Sequence, residues 1–115
     1  MTFTLEVMLR GDQRVHTEQI EYPTHPATWT AADMQVLLRR WLEAIDRMQN
    51  PGEEPRAVEL RGLNWIVSPF QGQVVIAFEI PSASAVAGPF DVPPGLLEGL
   101  LVQTITAAAP STMVH

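Results

Sequence analysis

Between Thr30 and Met48 the apolar residues Met34, Leu37, Leu38, Trp41, Leu42, Ile45 and Met48 recur three and four apart, whereas on both sides of this stretch apolar and polar residues alternate. A chain whose period switches from 2 to 3.6 and back has to lay helix on sheet, because neither a strand face nor a helix stripe buries itself alone. The helix has defined ends. Thr30 can accept an orphan amide and Asp33 complements the positive end of the dipole, while Pro51-Gly52 stops the helix near Asn50. Arg39, Arg40, Glu43, Asp46 and Arg47 lie around the other side, with Arg39 and Glu43, and Glu43 and Arg47, spaced to pair.

Ahead of this helix, residues 2 to 10 place Phe3, Leu5, Val7 and Leu9 on one side of a strand. Gly11-Asp12-Gln13 turns the chain, and Arg14 to Tyr22 returns as an edge strand, with Val15, Thr17 and Gln19 opposing His16, Glu18, Ile20 and Tyr22. Beyond the helix, Ala57 to Val67 reads as a strand interrupted at Gly62, and Ser68 to Gly72 as a turn. Gln73 to Ile80 is a strand apolar on both faces, which calls for cover on both sides. Pro81 to Pro94 reads as a loop of small residues and prolines. A second helix then runs to Ala108 on a stripe of Leu96, Leu97, Leu100, Leu101, Ile105 and Ala108, and residues 110 to 115 form a frayed tail. The expected architecture is α+β in the order ββαββα: two hairpins forming a mainly antiparallel four-stranded sheet with two helices packed on it. A chain of 115 residues can bury about two thirds of its extended surface, enough for one core over 1–115 and too little for two.

Missing residue types exclude several chemistries. No cysteine means no disulfide framework, thiol nucleophile or thiolate metal site, and no lysine means no Schiff base. All seven basic residues are arginine, a composition that fits a bacterial genome rich in G and C. The opening Met1 to Glu6 carries no basic leader pattern and apolar runs are short, so a cytoplasmic location is expected. A formal charge of −6 without a basic face argues against nucleic acid and membrane partners.

Candidate chemistry is thin. His16 and Glu18 project from one strand face and His25 could fold back toward them, a conceivable metal set of two imidazoles and a carboxylate. Such spacing is common on edge strands, so no metal, cofactor or catalytic residue is assigned and the chain does not read as an enzyme. Ser68, Ser82, Ser84 and Ser111 lack a nucleophile-elbow context, and Glu53-Glu54 adjoin on a polar stretch. Trp41 and Trp65 belong to the core. Trp29 either staples the helix start or, if exposed, marks a recognition surface.

The strongest functional clue is the distribution of charge. All seven arginines and ten of the thirteen carboxylates fall in residues 1 to 61, which leaves only Glu79, Asp91 and Glu98 in the following 54 residues. A half so poor in charge is expected to be covered, and strand 73–80 with helix 94–108 supply the candidate interface: Val75, Ala77, Gly99, Val102, Gln103 and Thr106. The sequence therefore reads as an interaction or assembly domain, a homo-oligomer or accessory subunit. The alternatives are a small-molecule or metal binder with a pocket between sheet and helices, and an acidic chaperone or immunity-type inhibitor of a basic protein.

Overall fold

The computed structural model describes residues 1–52 and 63–108, with side chains described through Ile105. Its strands are β1 (Thr2–Leu9), β2 (Val15–Glu21), β3 (Asn64–Phe70), β4 (Gln73–Ile80) and β5 (Ala83–Phe90). Its helices are α1 (Ala31–Gln49) and α2 (Pro94–Ala108), with a short 3-10 turn at Pro26–Thr28. The class is α+β as expected, but among the described residues the sheet has five strands rather than four, all antiparallel, in the order β2-β1-β5-β4-β3. The order along the chain is accordingly ββαβββα.

The additional strand is the segment expected to be a loop. β5 lies at the centre of the sheet between β1 and β4, with Ala83, Ala85 and Ala87 buried and Ser84 and Val86 exposed. From Ala83 to Ala87 its alternation is regular but its apolar side consists of methyl groups, so the pattern is strand-like while the composition resembles a linker, and only Phe90 at its end brings a large side chain to the core. The small residues have a purpose. Trp41 of α1 meets Phe3 on β1 edge-on at 5.9 Å and stacks on Phe78 of β4 at 5.8 Å, so its indole bridges the two neighbours of β5. Alanine on the strand between them leaves room for that ring.

α1 carries the largest share of the core, with Met34, Leu37, Leu38, Trp41, Leu42, Ala44 and Ile45 buried. Its start is a complete capping box: Thr30 Oγ1 accepts from the Asp33 amide at 3.3 Å, and Asp33 Oδ2 accepts from the Thr30 amide at 2.8 Å. Asn50 caps the other end, where its amide donates to the Asp46 carbonyl. Arg47 does not pair along the helix; it crosses to Glu18 on β2 at 3.1 Å.

The second hairpin also departs from expectation. Ser68, Pro69 and Phe70 belong to β3, and the turn is only Gln71-Gly72, whose φ values of 51° and 81° mark a type I′ hairpin. Phe70 and Gln73 then form the hydrogen-bonded pair beside the turn. Asn64, Ile66, Ser68 and Phe70 thus direct their peptide groups to β4, whereas Trp65, Val67 and Pro69 direct theirs away from the sheet. Proline is tolerated at residue 69 because no ladder bond needs its missing N–H. The expected strand start at Ala57 and the bulge at Gly62 fall outside the described residues.

α2 packs against α1 and β3, burying Leu97 and Leu101 and partly burying Leu100 and Ile105. Leu96, expected in that stripe, is exposed instead. The hydroxyl of Thr104 donates to the Leu100 carbonyl at 2.7 Å and lies 3.2 Å from the Ala31 carbonyl, which ties α2 to the first turn of α1.

Candidate interaction surface

Both helices lie on one face of the sheet, so the other face is bare among the described residues. The register across the sheet shows how its polarity changes. One row runs Thr17, Glu6, Val86, Ala77, Ile66 from β2 to β3, and the next places Gln19 beside Thr4 at one end and Val75 beside Ser68 at the other. On the β2-β1 side the row is polar, and Gln19 Nε2 donates to Thr4 Oγ1 at 3.0 Å. On the β5-β4-β3 side the Val86-Ala77-Ile66 row is apolar, with Val86 exposed, Ile66 keeping 61% of its surface in water and Phe70 exposed further along β3, while the neighbouring row of Ser84, Glu79 and Asn64 is polar. Met8 and Val15, also exposed and opposite each other, are apolar exceptions on the β2-β1 side of this face.

A second uncovered apolar surface belongs to α2, where Leu96 and Val102 are exposed and a Cβ built on Gly99 would meet nothing within 4 Å. The residues proposed from sequence therefore divide. Val75 and Ala77 lie half-buried on the bare face of the sheet, Gly99, Val102 and Gln103 are exposed on the helix side, and the side chain of Thr106 lies outside the described residues. These two sets cannot form one flat patch, because the sheet separates them. They meet along β3, which contributes Ile66 and Phe70 to the bare face and supports α2 on the other. Sequence reasoning missed this strand as a functional element because Ser68-Pro69 resembles a turn.

The imidazoles and carboxylate considered as a metal set have separate structural roles. His16 Nε2 lies 3.0 Å from Asp12 Oδ2, Glu18 pairs with Arg47, and His25 Nδ1 accepts from the Ala27 amide at 3.0 Å in the 3-10 turn. Among the described residues no three His, Cys, Asp or Glu side chains are grouped to hold a metal ion. Trp29 is not an exposed recognition residue. It is 5% exposed, its rings meet Phe3, Tyr22 and Phe90 edge-on, and Nε1 donates to the Thr24 carbonyl at 3.2 Å.

Two charge arrangements shape the N-terminal half. Asp12 accepts from the Arg14 amide at 2.9 Å, and that bond, with the His16 ring second, holds its carboxyl down at about 2. Tyr22 donates to Asp33 Oδ1 at 2.6 Å, which lowers the Asp33 carboxyl below its ordinary range and raises the Tyr22 phenol above its own. Both stabilise turns and caps. A groove of about 410 Å³ at this end of the sheet is lined by Arg10, Asp12, Glu79 and Ser84 among others. Arg10 donates to the Pro81 carbonyl at 3.2 Å and Asp12 is held by Arg14 and His16, so these two of its charged groups are engaged within the fold.

No helix among the described residues is long and apolar enough to cross a membrane. No family model, curated protein or solved structure matches the chain.

Proposed function

We propose that this chain is a non-catalytic assembly domain that self-associates through its charge-poor C-terminal half. The observation that carries this reading is the convergence on β3 of two uncovered apolar surfaces, the Val86-Ala77-Ile66 row of the sheet and the exposed side of α2. A second copy is the occupant favoured by charge. A chain of net charge −6 repels itself wherever its carboxylates cluster, and β3 carries no charge while α2 carries only Glu98. The opposite edge, β2, presents Glu18 and Glu21 and is held by Arg47 and Arg40, which suits solvent.

Light scattering across a concentration series tests this reading. At high micromolar concentration the mass should approach a multiple of 12.7 kDa. Ile66→Arg and Val102→Arg should each return it toward that of one chain, and at low micromolar concentration, where the wild type is also a single chain, should melt with it, since both side chains are exposed. A wild-type protein that stays at one chain mass, or arginine variants that leave the mass unchanged, would overturn it.

A further inference from the structure

Resting on the self-association reading, we infer that two copies join edge to edge through β3, antiparallel about a two-fold axis at Val67, to make one continuous ten-stranded sheet. The argument begins with peptide groups. Among the described residues nothing pairs with the outer side of β3, where Trp65 and Val67 offer N–H donors and Trp65, Val67 and Pro69 offer carbonyls. With the two strands fully overlapped, which centres Asn64–Phe70 on Val67, this set is self-complementary. With Val67 opposite Val67 of the second copy, each Val67 N–H donates to the other's carbonyl, and each Trp65 N–H donates to the Pro69 carbonyl across the axis. Both donors of each copy are used, and the N–H that Pro69 lacks costs one bond per copy at the periphery. A two-residue shift puts Ser68 or Ile66 on the axis: with Ser68 there Trp65 falls opposite Gln71 of the turn, and with Ile66 there Pro69 and Phe70 run past Asn64 at the end of the other strand.

Side chains fit the same register. Ile66 falls opposite Ser68, and Phe70 opposite Asn64, so no charge meets a like charge. The equivalent pairing of β2 about its centre would oppose Glu18 with Glu18. The size is sufficient. Seven residues at about 3.4 Å give roughly 24 Å of strand. With the molecule's least extent of 24 Å, the wall at this edge is roughly 580 Å² per copy. A two-fold pair then covers roughly 1,150 Å² in total, at the threshold for a specific interface. α2 lies over β3, so the two copies of this helix come side by side and bury part of their exposed apolar surface.

The chain has no cysteine, which makes the register directly testable. Ile66 and Ser68 of opposite copies form a non-hydrogen-bonded pair with Cα atoms about 4.5 Å apart, within disulfide reach, whereas Ile66 lies about 8 Å from Ile66 of the other copy, beyond it. Ile66→Cys and Ser68→Cys proteins are prepared reduced, mixed at high micromolar concentration and oxidised, and each is oxidised alone. The inference expects a covalent dimer in the mixture, at least fivefold more abundant than in either protein alone. Equal cross-linking with and without mixing, or none in a mixture that light scattering shows to be oligomeric, overturns the edge register and leaves self-association standing. A mixture and a wild type that both scatter as single chains overturn the two together.

Discussion

Trp41 is wholly buried, yet among the described residues its Nε1 has no acceptor. An indole N–H sealed from water without a partner costs about 1–3 kcal/mol, so replacing the ring by one that lacks the group recovers that cost. Trp41→Phe retains an aromatic ring for the edge contact with Phe3 and the stack on Phe78. Its loss is size: roughly 40 Å³ of vacated volume costs about 1 kcal/mol, and the smaller apolar area costs a little under 1 more. The two effects nearly cancel, and Trp41→Phe should fall within about 1 kcal/mol of wild type. Trp41→Ala recovers the same polar cost but empties the space above the β5 alanines, and should lose about 3–5 kcal/mol. Urea denaturation followed by far-ultraviolet circular dichroism reads both, provided the denaturant slopes agree. If Trp41→Phe costs as much as Trp41→Ala, the indole N–H is not an unpaid donor and the reasoning fails.

Leu38→Ala should cost about 2–5 kcal/mol and Arg40→Ala less than about 1, because Leu38 is fully buried whereas Arg40 makes one exposed bond to the Glu21 carbonyl; similar losses in urea would refute the assigned helix phase. Gly88→Ala should cost about 2–3 kcal/mol, since φ is +135° and a Cβ would sit 3.2 Å from the Val74 carbonyl oxygen and Val75 Cγ1, and a melting temperature equal to wild type would contradict it. The Tyr22 to Asp33 bond gives a pH signature. The lowered Asp33 carboxyl contributes stability that is present above its ordinary 3.8 and lost as pH falls through its folded value, while the raised Tyr22 phenol contributes stability present below 10.0 and lost as pH rises through its folded value. Tyr22→Phe should therefore lower stability at pH 7 by about 1 kcal/mol and flatten both limbs of the pH profile. Unchanged limbs in denaturation at pH 3, 7 and 11 would show that the pair is not coupled.

Local sequence signals located most elements because each carried its physical cause with it. Thr30, Asp33 and Pro51-Gly52 delimit α1 through caps and breakers, and the alternation of Phe3, Leu5 and Val7 defines β1 through burial. What was not legible depends on tertiary context. β5 looks like a linker until Trp41 is known to lie across its neighbours, since the size of the partner is what demands alanine at residues 85 and 87. Pro69 reads as a strand breaker until the I′ turn at Gln71-Gly72 sets which way each peptide of β3 points. The scarcity of charge after residue 61 was visible, but its division between the bare sheet face and α2 was not, because sequence spacing does not say which side of a two-sided strand receives the helices. Leu96 is the same problem on a helix. An almost uniformly apolar segment has no polar face to fix its rotation.

Backbone amide exchange on the wild-type protein at low and high concentration tests the central claim most directly, because it introduces no substitution and resolves each strand. Self-association through the charge-poor half requires amides of β3 and α2, Trp65 and Val67 foremost, to exchange at least tenfold more slowly at high micromolar than at low micromolar concentration, while those of β2 keep one rate. Rates that do not depend on concentration anywhere, or protection that grows on β2 and leaves β3 unchanged, would contradict it.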